Sequence, residues 1–355
     1  MTVKRIMPVL LIFLASISLG LFYNTYLIEY PWHTSLLEGY IKGILSVFLL
    51  VIQGWCIYDL CTPLYKKYKS NFPILLSSIF IITILLYVLR TRIFGVGYIN
   101  VFIMLYVYPL VFLGMKEQFI NKHGLINVTI LFSALMIICL FVSDIKMILF
   151  SAIAFIITEI ISINLFAASQ KKKWYWHVGV LTVVSILSLV SVILLNWSIF
   201  ERRIAGFFNP DTVLEYRMLL DWIGRCKLIS FNLNKAFVND INSMTACPYS
   251  HIMSCFGVLP TMLFICLQLY FVLAMFKTST KFTEDSRKLL GMVSSAIVTV
   301  HLLISLASSF FIIPMVGYGA PVFLGTGLSY SYVPLLTYFY LEFVEIYLKY
   351  KNKQQ

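Results

Sequence analysis

Apolar runs of about 18 residues or more recur along the whole 355-residue chain, and no other feature constrains the fold as strongly. Each run can cross a hydrocarbon core of about 30 Å as a single helix. Ten are read, at about 7–23, 41–60, 72–89, 98–115, 125–142, 147–168, 176–197, 250–276, 289–313 and 321–347. Backbone N–H and C=O groups inside lipid have no water to bond, so each segment must satisfy its own, as an α-helix does. The two-residue alternation of a membrane β-barrel is not seen. The expected fold class is therefore an all-α polytopic membrane protein of about ten transmembrane helices. It forms one domain over 1–355, with no soluble module or low-complexity linker. Composition agrees, since only 12% of residues are charged, against roughly 25% in soluble domains.

The first run follows Lys4 and Arg5 and has no convincing small-x-small cleavage site before the polar stretch beyond it, so it reads as a signal anchor kept as helix one. Lysine and arginine set the orientation, because cytoplasmic loops hold an excess of both. With the N-terminus inside, the inner loops carry Lys4 and Arg5, KKYK at 66–69, Lys116 and Lys122, KKK at 171–173, the basic stretch 277–288 and the tail KYKNK. Arg90, Arg92 and Lys146 are the exceptions on the outer face. Both termini are thus expected in the cytoplasm. The formal net charge of +12 is topogenic and membrane-surface charge, not a nucleic-acid footprint.

One outer loop stands out, at 198–248 between the seventh and eighth spans. Its charges alternate in sign with aromatic and aliphatic residues between them. TVLEYRMLLDWIG sets Val213, Leu214, Met218, Leu219, Leu220, Trp222 and Ile223 against Glu215, Arg217 and Asp221. The pattern predicts an amphipathic helix lying on the outer membrane surface and ended by Gly224. Ionisable residues within or beside the spans are few: Asp59, Asp144, Glu159, His301, Glu342 and Glu345. Asp59, Glu342 and Glu345 read as boundary residues at cytoplasmic helix ends, Asp144 as a turn-maker between spans five and six, and Glu159 as a helix contact. Polar investment in the outer loop points to chemistry or binding at the external face.

Neither the seven cysteines nor the five histidines show metal spacing. Cys56, Cys139, Cys255 and Cys266 fall in or near spans, where packing accounts for them. Cys226 and Cys247 share the outer loop, and an oxidising compartment would allow them to pair.

Four stretches resemble the SEDS family (shape, elongation, division and sporulation), the group of FtsW, RodA and SpoVE. Arg203, Ile204, Phe207, Asn209 and Pro210 of RIAGFFNP match its R-I-x-x-F-x-N-P after helix seven, with Tyr216 near the G-Y-Q that follows. PMVGYGAPVFLGTGLS keeps Pro314, Gly317, Pro321, Gly327 and Ser329 at the spacing of P-V-T-G-I-P-L-P-F-L-S-Y-G-G-S-S. TRIFGVG, with Arg92 and Gly97, is similar to R-W-I-x-x-G, and SDIK, with Asp144, to P-D-L-G. The matches run in order over about 75–350 with the family's sidedness. The resemblance implies a multi-pass protein of the bacterial plasma membrane that polymerises lipid II. In that reaction a growing glycan passes from its polyprenyl pyrophosphate to the 4-hydroxyl of an incoming lipid-linked disaccharide. A carboxylate would take the hydroxyl proton, and cations or N–H groups would hold the leaving pyrophosphate. Arg92, Arg203 and Arg202 are candidates for the second task, and Pro314 to Ser329 would form a non-helical outer turn with free N–H groups for an anionic headgroup. Binding is assigned by resemblance to Arg92, Asp144, Arg203, Asn209, Gly317, Pro321, Gly327 and Ser329. No cofactor is expected, beyond a divalent cation that the pyrophosphate can bring with it. The partner implied is a class B penicillin-binding protein.

The chain departs from the family at the base. Aligning the family's helix-eight glycine on Gly257 sets MTACPY over H-T-D-F-I-F and Ala246 over the catalytic aspartate. Ser254 and Cys255 stand where the family has paired glutamates, Lys146 replaces the glycine of P-D-L-G, and Q-P-S-E is absent. Asp240 and His251 are the substitute bases within reach. Three readings stay open: a glycosyltransferase with a relocated base, a non-catalytic scaffold that binds lipid II or a penicillin-binding protein, and a polysaccharide polymerase or flippase of another family.

Overall fold

The computed structural model describes residues 171–195, 197–230 and 248–314, with single helical positions between 153 and 165 and between 338 and 349. Regular structure among the described residues is helical throughout: α1 (Lys171–Leu195), α2 (Trp197–Phe208), a 3-10 turn (Pro210–Thr212), α3 (Leu214–Gly224), α4 (Pro248–Phe256), α5 (Val258–Ser279) and α6 (Asp285–Ser309). Three stretches are long and apolar enough to cross a membrane, Val178–Leu195, Val258–Ser279 and Arg287–Ser309. They fall within or overlap the seventh, eighth and ninth expected spans. The first five spans, both termini and the orientation lie outside the described residues.

The chain divides into two compact units, one of 1–50, 197–275 and 298–332, the other of 51–196, 276–297 and 333–355. α1 belongs to the second. It is apolar on every side, with Val183, Ile186, Leu187, Val190 and Leu194 exposed, as a lipid-facing helix must be. Two of its hydroxyls are satisfied within the helix: Thr182 donates to the Val178 carbonyl at 2.8 Å and Ser191 to that of Leu187 at 2.9 Å. Tyr175 and Trp176 are exposed near its N-terminal end, as aromatic residues at a membrane–water boundary are.

The second unit also holds a buried ion pair that revises the reading of Glu345 as a boundary residue. Glu345 is 2% exposed, and its Oε1 accepts from the Thr283 N–H (2.8 Å), Thr283 Oγ1 (2.9 Å) and Arg287 Nε (2.9 Å). Arg287, itself buried, also reaches Glu284 Oε2 at 2.7 Å, and Lys349 lies 3.6 Å from the other Glu345 oxygen. One carboxylate thereby ties the helical stretch near 345 to Arg287 in the first turn of α6 and to Thr283, two residues before that helix. Close by in sequence, a Cβ on Gly291 would lie 2.8 Å from both the Phe282 ring and the Ser279 hydroxyl, so any larger residue requires those side chains to shift.

Candidate functional site

The RIAGFFNP stretch is the end of one helix and the turn into the next. α2 closes with the Asn209 N–H on the Ala205 carbonyl (2.7 Å), and Asn209 then leaves the helix at φ −133°. Pro210 opens the 3-10 turn, a position where its missing N–H has no helical partner to lose. Thr212 bonds back to the Asn209 carbonyl through Oγ1 (2.7 Å) and N–H (3.1 Å). Extended Val213 then starts α3, its carbonyl taking the N–H groups of Tyr216 and Arg217 at 3.1 Å each. The result is a tight helical hairpin.

Its two arms meet at Gly206, where an added Cβ would sit 2.5 Å from the Tyr216 ring and 2.8 Å from Val213. Val213, Tyr216 and Leu219 form a core with Phe207, Ile223 and Phe311. Phe311 stacks on Phe207 at 4.8 Å and meets Tyr216 edge-on at 5.5 Å, geometries worth about 0.5–1.5 kcal/mol beyond area burial. Phe311 is also the residue that ends α6, at φ +59°. The Ile312 N–H returns to the Ala307 carbonyl at 2.8 Å, closing the helix end with a left-handed residue that is usually glycine. The aromatic contacts offset that strain.

α3 ends at Gly224 as the sequence predicts, and much of its apolar face is covered by protein, with Leu214 and Leu220 left exposed. Tyr216, Leu219 and Trp222 are buried, and α3 packs on α4 within the same unit. Burying that face against protein satisfies the same amphipathic pattern. The alternating charges pair locally: Arg202 with Glu215 (3.3 Å), Arg225 with Asp221 (2.7 Å) and Arg217 with Asp211 (3.8 Å). All are substantially exposed, so each contributes at most about 1 kcal/mol. Glu215→Ala should therefore shift thermal stability by less than about 1 kcal/mol, as read by unfolding in detergent.

The eighth expected span is broken. α4 stops at Phe256 and α5 starts at Val258, with Gly257 between them at φ +94°. Residues 227–230 lie against the break: the Val258 N–H bonds the Lys227 carbonyl, the Leu259 N–H that of Leu228 and the Ser230 N–H that of Phe256, all at 3.0 Å. First-turn donors of α5, which have no partner inside their helix, are thus capped by the loop. The signal was in the sequence as Gly257 followed three residues later by Pro260, a helix stop and a first-turn proline that the continuous apolar run concealed. Tyr249 at the start of α4 is fully buried, bonding Gln268 Oε1 through its hydroxyl (2.5 Å) and Ser309 Oγ through its N–H (3.3 Å).

Among the proposed site residues, Arg203 is half-buried on α2 and Asn209 is exposed at the turn, while His251 lies on α4. Arg92, Asp144, Asp240, Ala246, Gly317, Pro321, Gly327 and Ser329 lie outside the described residues. Pro314 follows the end of α6, as its ring requires. Among the described residues no group of three or more His, Cys, Asp or Glu side chains converges. Cys226 is a free thiol donating to the Trp222 carbonyl at 3.0 Å, and burial pushes its pKa above the usual thiol value. At pH 7 less of it is thiolate than in an exposed cysteine, so iodoacetamide should modify Cys226 more slowly there and catch up as pH rises.

No protein-family model matches the chain, and no curated protein matches it. The resemblance to the SEDS family rests on the residues that carry it.

Proposed function

We propose that the chain is a SEDS-like protein of bacterial cell-wall synthesis, in division, elongation or sporulation, that engages lipid II at the outer face of the plasma membrane. The observation that carries this reading is the Arg203–Pro210 motif placed directly after an apolar helix and in register with three further motifs. Its support in the fold is that motif positions have distinct tasks: Phe207 and Tyr216 hold the hairpin core, Pro210 starts the turn, and Arg203 stays half-buried on the helix that ends at it. A guanidinium at headgroup level can hold a pyrophosphate with charge-assisted hydrogen bonds. A divalent cation, if used, would arrive with the substrate.

Ala246 at the aspartate position favours a second reading, a non-catalytic protein that binds lipid II or a class B penicillin-binding protein. An alanine has no proton acceptor, so transfer would need Asp240 or His251 as base. Lipid II polymerisation and binding by the purified protein separate the two. Product that disappears in Asp240→Ala makes the chain an enzyme with a relocated base. Binding without product, weakened about tenfold or more in Arg203→Ala, makes it a scaffold, a loss of about 1.4 kcal/mol being the least expected for a charge-assisted contact. Neither binding nor product overturns both.

A further inference from the structure

We propose that the lipid-dipping part of the polar loop is the short segment at 227–230, which seats Leu228 and Ile229 at the acyl–headgroup boundary of the bilayer. α5 presents Leu259, Met262, Leu263, Tyr270 and Leu273 outward along a membrane-length helix, an apolar surface of the kind that lipid solvates. Leu228 and Ile229 extend it. Both are exposed, at 67% and 56%, and the Leu228 carbonyl holds the N–H of Leu259 in the first turn of that helix. The Ile229 Cα would come 2.7 Å from a Cβ on Gly257, so the segment lies directly over the helix start.

A non-helical backbone enters the membrane boundary only where its polar groups are satisfied. Here the carbonyls of Lys227 and Leu228 and the N–H of Ser230 are bonded to α4 and α5. Exposed Lys227 directly precedes the apolar pair, with a stem that can lie along acyl chains while its charge reaches phosphate. α3 is less suited to this part, because Tyr216, Leu219 and Trp222 of its apolar face are buried and only Leu214 and Leu220 stay exposed.

The test places the photo-crosslinking residue p-benzoylphenylalanine at Leu228, at Ile229 and, as control, at Leu220 on α3. The full chain is reconstituted in phosphatidylcholine–phosphatidylglycerol vesicles, and adducts are read by mass spectrometry. Phospholipid adducts several-fold more abundant at 228 and 229 than at 220 are expected. Adducts to residues 231–247 or to a second copy of the chain would show the pair covered by protein and overturn the proposal. Low yield at both, with lipid adducts at 220, would overturn it as well. The outcome is independent of lipid II binding, so it separates from the functional reading above.

Discussion

Replacing Gly257 with alanine is expected to lower stability by about 3 kcal/mol or more, seen as a large drop in the thermal unfolding midpoint of the detergent-solubilised protein. Two causes add. The backbone at φ +94° is one that an L side chain rarely adopts, a cost of about 1–2 kcal/mol. The new Cβ would also lie 2.7–2.9 Å from the backbone of Lys227, Leu228 and Ile229, where no side chain can rotate away. Segment 227–230 would have to move, releasing the N–H groups it caps. Gly179→Ala supplies the contrast: the position is mid-helix on α1 with nothing within 4 Å of a Cβ, so alanine should stabilise by about 0.5–1 kcal/mol. A Gly257→Ala variant as stable as the parent would show that the break is not rigid.

The second large effect is expected at the ion pair of the other unit. Glu345→Ala leaves Arg287 buried without the carboxylate facing its Nε and strips the Thr283 N–H and hydroxyl of their acceptor. Breaking a buried pair by removing one partner costs up to about 3–5 kcal/mol through desolvation of the charge left behind, and the Glu284 carboxylate that Arg287 keeps at 2.7 Å places the loss toward the lower end. Removing both ions should restore much of the loss, because attraction inside a protein barely exceeds the cost of taking two charges out of water. The double variant Arg287→Met with Glu345→Leu should therefore unfold well above Glu345→Ala. A double variant as unstable as the single one would mean that the hydrogen bonds to Thr283, not the charge, hold the contact.

The positions of three spans were legible in the sequence because lipid imposes a length and a composition that few other constraints imitate. α1, α5 and α6 fall where the apolar runs predict, and α3 ends at Gly224 as its pattern requires. Which surface covers an apolar face was not legible. The side-chain period of α3 is the same whether Leu219 and Trp222 meet lipid or α4, and only tertiary structure separates the two. Glu345 misled for a related reason. Near a helix end an acidic residue is ordinarily solvated, and its partner Arg287 lies 58 residues away, beyond any local pattern. The resemblance motifs drew attention to Arg203 and Pro210, whereas Phe311, which pins the hairpin from a distant helix, carries no local mark apart from being followed by Pro314.

Phe311 also joins the end of α6 to the hairpin within its unit. α6 can end in a left-handed phenylalanine only while Phe207 and Tyr216 hold the ring, so the direction in which the chain departs toward Pro314 is set by the hairpin. Tilting α3 would release the ring and let the helix end unwind into an easier conformation. One aromatic ring is thus the latch between the hairpin and the end of α6.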